Sequence, residues 1–177
     1  VVDRILPLAV HFDDDGALDC WIFGERCLEL PAATLGNVDD YVAREAPWTG
    51  KFFIRSPIGG TNNEVAAMQD VIARYRDSQL PAYVLFISDG GVHRNREIEK
   101  LIRDAASLPI FWQFVGLGGR NYGILEKLDH LSGRIVDNCS FFALDDLHDV
   151  SEEALYDRLL NEFPSWLDQA RSQGILT

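Results

Sequence analysis

The sequence predicts an α/β fold, a three-layer arrangement around a doubly wound, mostly parallel sheet. Two observations carry that prediction. Residues 82–88 (AYVLFIS) and 110–117 (IFWQFVGL) are nearly continuous apolar runs, as strands buried on both faces of a parallel sheet require. Helical patterns alternate with them. Val65, Met68, Ile72 and Tyr75 fall on one face of 62–76, and Ile98, Leu101, Ile102, Ala105 and Ala106 on one face of 95–106. Such sheets bind ligands outside the carboxyl ends of their strands, so the residues after Ser88 and Leu117 are the first to inspect.

Taken in order, residues 1–12 place Val1, Val2, Ile5, Leu6, Ala9 and Val10 at helical intervals, with Pro7 as a kink. Asp13-Asp14-Asp15-Gly16 reads as a solvated turn, because a calcium loop spaces its carboxylates at alternate positions over a longer segment. Residues 17–23 and 26–30 read as a hairpin across Gly24-Glu25. Residues 37–46 read as a short helix capped by Asn37. Pro57 keeps 51–58 extended. A short helix over 123–131 and a strand over 140–144 follow. A last helix carries Leu155, Leu159, Phe163, Trp166 and Ala170 along one stripe and bends at Pro164.

The chain is one domain in size, with 177 residues and a mass of 19.9 kDa. Its 16 basic and 28 acidic residues give a net charge of -12. That balance argues against nucleic acid, whose phosphates need a basic footprint, and against an anionic membrane surface. It favours a cation or a basic partner. No apolar run is long enough for a membrane span. Cys20, Cys27 and Cys139 are odd in number and lack CxxC spacing, which fits reduced thiols in a cytoplasmic protein.

Two segments carry candidate chemistry. Strand 82–88 ends in Ser88-Asp89-Gly90-Gly91, which puts a carboxylate at the mouth of the sheet on a loop that glycine lets turn tightly. The plainer reading of Asp89 is a turn cap. Gly59-Gly60-Thr61-Asn62-Asn63 opens the helix over 62–76. There Thr61 and Glu64 match a capping box, yet a hydroxyl beside a helix N-terminus also suits a hard cation. One hydroxyl and one carboxylate make an oxygen-only site suited to Mg²⁺, which keeps several waters. Gly116-Leu117-Gly118-Gly119 fails the dinucleotide fingerprint, since Asn121 stands where the third glycine belongs. His11, His130 and His148 share no helical face and pair with no nucleophile. The eight acids between Asp145 and Asp168, against Arg158 alone, read as a solvated face that a basic partner could use.

With FDDDGALD (12–19), WIFG (21–24), GGTNNEVAAM (59–68), YVLFISDGG (83–91), LPIFWQFVGLG (108–118), YGILEKLD (122–129), GRIVDN (133–138) and LYDRLLNEFPSWL (155–167), nearly the whole chain resembles a von Willebrand factor A (vWA) domain. More narrowly, it is similar to the type found in bacterial tellurium-resistance (TerF-like) proteins. The resemblance implies a Rossmann-like doubly wound sheet and a metal-ion-dependent adhesion site. That site combines an Asp-x-Ser-x-Ser loop after the first strand, a Thr from a second loop and an Asp after the fourth strand. Thr61 and Asp89 match the last two, and Gly60, Asn62, Gly90, Gly91, His93, Arg94, Arg96 and Gly118 would form the rim. No Asp-x-Ser-x-Ser occurs in these residues. The first central strand and its loop are therefore expected upstream of Val1, making residues 1–177 a single but N-terminally incomplete vWA-like domain. The function implied is a non-enzymatic module of a stress-response protein. It would hold Mg²⁺ (or Mn²⁺ or Ca²⁺) and accept a carboxylate from a protein partner. The alternatives are a metal-dependent phosphoesterase and a scaffold whose ion site is non-functional.

Overall fold

The computed structural model describes residues 10, 15–48, 56–118, 122–144 and 150–177. The chain divides into two compact units, residues 1–67 and 68–177. The expected helix over 1–12 lies outside the described residues except for Val10, which is helical and buried.

In the first unit, β1 (Ala17–Phe23) and β2 (Cys27–Thr34) form an antiparallel pair. β2 runs past the expected end at Leu30 because Pro31 falls at a register irregularity between Leu18 and Cys20, where its missing N–H breaks no regular ladder. The Tyr41 hydroxyl donates to the Pro31 carbonyl, and Tyr41 packs with Ala33 and Val38. The expected helix is shorter than its pattern. α1 is Tyr41–Glu45, and its N-cap is Asp40, in the left-handed region at φ 53°. Asn37 does not cap it. Its Oδ1 accepts from Thr34 N (2.7 Å) and its Nδ2 donates to Ala32 O (3.0 Å), so it closes the loop leaving β2. Pro57 and Ile58 form a turn, and residues 51–55 of the expected extended run lie outside the described residues. Helix α2 (Glu64–Tyr75) starts in this unit.

The second unit holds a three-stranded parallel sheet in the order β3 (Ala82–Ser88), β4 (Ile110–Leu117), β5 (Cys139–Leu144). The connections carry α3 (Asn95–Ala105) and α4 (Leu125–Leu128). β4 is buried from Ile110 to Gly116, as its apolar run predicts. β3 is not. Only Phe86 and Ser88 are buried, because among the described residues β3 pairs with β4 alone. Tyr83 and Phe111 share one face, where they meet Phe163, and Trp166 packs on Phe111. Phe86, Trp112 and Phe114 pack together on the other. The expected single bent helix is two: α5 (Glu152–Leu160) and α6 (Phe163–Ser172). Pro164 starts the second one instead of bending the first, since a proline N–H is not needed in a first turn.

Candidate functional site

The Thr61 loop is built on the hairpin turn of the first unit. Arg26 N donates to Ile58 O (3.0 Å), Asn63 Nδ2 to Glu25 O (3.4 Å) and Gly60 N to Glu25 Oε1 (3.4 Å). Gly59 is required, because at φ +81° a Cβ would stand 2.5 Å from Glu25 Cδ. The capping box does not form as expected. α2 starts at Glu64, and Asn63 caps it, its Oδ1 accepting from Ala66 N (3.3 Å). Thr61 is exposed, and its hydroxyl has no partner among the described residues.

Asp89 is exposed at the carboxyl end of β3, in the second unit. The turn that follows is held by its neighbour, with Gly90 N donating to Ser88 Oγ (3.2 Å). The Asp89 carboxylate caps nothing and has no partner among the described residues. Gly90 and Gly91 take φ of 105° and 67°, a backbone that other residues rarely adopt. His93, Arg94 and Arg96 are exposed, and Val92–Glu97 line a shallow cavity of about 410 Å³. Arg94 is committed within that loop, because its Nε donates to Glu97 Oε1 (2.8 Å). Gly118 is exposed where β4 ends, its N–H donating to Leu144 O (2.9 Å). The Asp89 loop and Gly118 thus lie at the carboxyl end of the parallel sheet, while Gly60, Thr61 and Asn62 belong to the first unit.

The sequence reading did not single out a second polar group, at the amino end of the sheet. Arg134 has a side chain only 6% exposed and is its centre. It donates to Leu131 O (2.8 Å), Asp129 O (3.0 Å) and Cys139 Sγ (3.1 Å) and ion-pairs with Asp137 (2.7 Å). Buried Asn138 donates to Ile102 O (3.1 Å), and its carbonyl accepts from Trp112 N (2.9 Å), which fixes where β5 begins. Burial pushes the Cys139 thiol up to about 12, so it is a neutral packing group. Burial, and then Asp129 and Asp137, raise the Glu162 carboxyl, while a hydrogen bond with Ser140 opposes them. The GRIVDN segment held the signal, an Arg and an Asp three residues apart entering a strand.

Among the described residues, no three or more His, Cys, Asp or Glu side chains converge as a metal cluster. No helix there is long and apolar enough to cross a membrane, and the three cysteines are free thiols.

The model of the vWA domain found in the TerF C terminus matches residues 1–176, and the chain belongs to that family. Among its relatives, the uncharacterized protein YcbR of Bacillus subtilis is 38% identical over 99% of this chain and 71% of its own length. Protein BONZAI 2 of Arabidopsis thaliana is 29% identical over 93% of this chain, and Copine-C of Dictyostelium discoideum 28% over 71%. The chain spans 32% and 26% of those two proteins.

Proposed function

We propose that this chain is a protein-binding module whose recognition depends on a divalent cation, with Thr61 and Asp89 among the oxygen ligands. The observation that carries the reading is that neither donor is consumed by its own loop. Asn63 caps the helix that Thr61 was expected to cap, and Ser88 holds the turn that Asp89 was expected to hold. A hydroxyl and a carboxylate fit Mg²⁺, which is bound through few carboxylates and retained waters. A cation so held keeps net positive charge and can take a partner's carboxylate as a further ligand. His93 and Arg96, both exposed, would favour the same acidic partner.

Membership of the vWA family, with BONZAI and copine relatives, supports a binding role over a catalytic one. The TerF relationship supports a cytoplasmic stress-response setting connected with tellurium resistance. The remaining ligands of such a site would come from an Asp-x-Ser-x-Ser loop, a motif that residues 1–177 do not contain. In the full natural chain, Mg²⁺ or Mn²⁺ should raise Tm and Asp89→Ala should remove the rise. A rise that persists in Asp89→Ala removes Asp89 from the site.

A further inference from the structure

Glu25, at the tip of the β1–β2 hairpin, is exposed, yet the Thr61 loop is fitted around it. Its Oε1 accepts from Gly60 N (3.4 Å), and its main-chain carbonyl accepts from Asn63 Nδ2 (3.4 Å). Contacts with this one residue therefore bracket Thr61 in sequence. Gly59 completes the seat. A Cβ there would stand 2.5 Å from Glu25 Cδ and 2.7 Å from its Oε2, so a bare backbone is what lets the carboxylate lie across the loop.

A second observation concerns where the loop is already anchored. Its start is fixed by backbone, since Arg26 N donates to the carbonyl of buried Ile58 (3.0 Å), and a Cβ on Gly24 would stand 2.7 Å from that same oxygen. Its end is fixed by Asn63, which caps α2. Between those anchors the Glu25 carboxylate takes the Gly60 N–H, one residue before Thr61. An exposed hydrogen bond of that length adds little to the stability of a fold. What it can do is fix the backbone that presents the neighbouring hydroxyl.

We propose that Glu25 is a positioning residue for the cation site: its carboxylate holds Gly60, so that the Thr61 hydroxyl is presented in place and binding an ion need not order the loop. The proposal rests on the reading of Thr61 as a ligand. Glu25 acts through the loop and not on the ion, because the oxygen that does the work is the one accepting from Gly60 N. Glutamine keeps such an oxygen and loses the charge, whereas alanine loses both, so the two substitutions separate a hydrogen-bonded anchor from a charged ligand.

The test compares the full natural chain with its Glu25→Gln and Glu25→Ala variants, labelled with ¹⁵N-glycine and ¹⁵N-threonine. In EDTA, the Gly60 and Thr61 amides should have NMR order parameters near about 0.85 in the wild type and in Glu25→Gln, and below about 0.6 in Glu25→Ala. In a calorimetric Mg²⁺ titration, Glu25→Ala should bind roughly three- to tenfold more weakly, the cost of ordering one loop on binding, and Glu25→Gln within about twofold of the wild type. Both variants keep the Arg26–Ile58 contact and should fold, with nearly the wild-type Tm in EDTA. Unchanged order in Glu25→Ala overturns the proposal. So does an equal loss of affinity in both variants, which would make Glu25 a charged ligand. A lower Tm with unchanged Mg²⁺ affinity would make its role merely structural and overturns it too. These three results, with Mg²⁺ bound by the wild type, leave the cation reading standing. A wild type that binds no Mg²⁺ overturns both.

Discussion

Replacing Arg134 by Met tests whether this side chain organises the entry to β5. Methionine keeps most of the packing volume and removes the guanidinium. The loss leaves the Leu131 and Asp129 carbonyls without their donor and Asp137 without its partner. Each carbonyl forfeits a hydrogen bond to a charged group, about 1–1.5 kcal/mol apiece once partial rehydration is allowed. The ion pair adds only about 0.5–1 kcal/mol, because Asp137 is 46% exposed and can be solvated. The sum is about 3 kcal/mol, which for a chain of this size lowers Tm by roughly 6–12 °C. Arg134→Lys should recover less than half of that loss, since an ammonium cannot span both carbonyls and the carboxylate as the planar fork does. Thermal unfolding followed by circular dichroism and by tryptophan fluorescence measures it, with buried Trp112 and Trp166 reporting on the second unit. A fall of less than about 2 °C for Arg134→Met, or full recovery by lysine, would refute the assignment of Arg134 as the organising group.

Other expectations follow from single contacts. Gly116→Ala should cost about 1–3 kcal/mol by chemical denaturation, because its Cβ would stand 2.5 Å from the ring of buried Tyr122. Gly24→Ala should cost a similar amount, roughly 1–3 kcal/mol, since its Cβ would stand 2.7 Å from the Ile58 carbonyl oxygen that accepts from Arg26 N. Cys139 should be the last of the three thiols alkylated by iodoacetamide in the native protein, its thiol being pushed up to about 12. Equal labelling of all three would contradict that. The Glu162 carboxyl, raised in the folded state by burial and by neighbouring carboxylates, binds its proton more readily there than in the unfolded chain. Its contribution is most favourable below the ordinary glutamate range and is lost as pH rises through the raised one. Glu162→Gln should therefore gain stability near neutral pH and none in strong acid, as urea titrations at the two pH values would read.

The parts of the fold legible in the sequence were those where burial and periodicity agree. β4 is apolar throughout and buried throughout, and α3 buries Ile98, Ile102 and Ala105 as its spacing requires. Where a local signal had two physical uses, spacing alone could not choose. Asn37 has the chemistry of a helix cap but closes a loop, and Thr61 begins a capping box whose cap is Asn63. Pro164 satisfies both a kink and a helix start, and the break falls before it. β3 reads as doubly buried because its sequence is apolar, but burial depends on neighbours, and β4 is its one partner among the described residues. At the candidate site, Thr61 and Asp89 could be named from their places beside a helix start and a strand end. That their donors are free could not, since it depends on which neighbouring side chain takes each backbone N–H. The group around Arg134 was illegible for a related reason. Asp129, Arg134 and Asp137 are near neighbours in sequence, but Glu162 comes beside them only through the placing of α6.

The most direct test is a Mg²⁺ titration of the full natural chain, wild type and Asp89→Ala, followed by Tm and by isothermal calorimetry. The wild type should bind with heat and, at a hundred times Kd, gain about 2.7 kcal/mol, while Asp89→Ala should show neither signal. Identical binding by both proteins, or none by the wild type, would contradict the account.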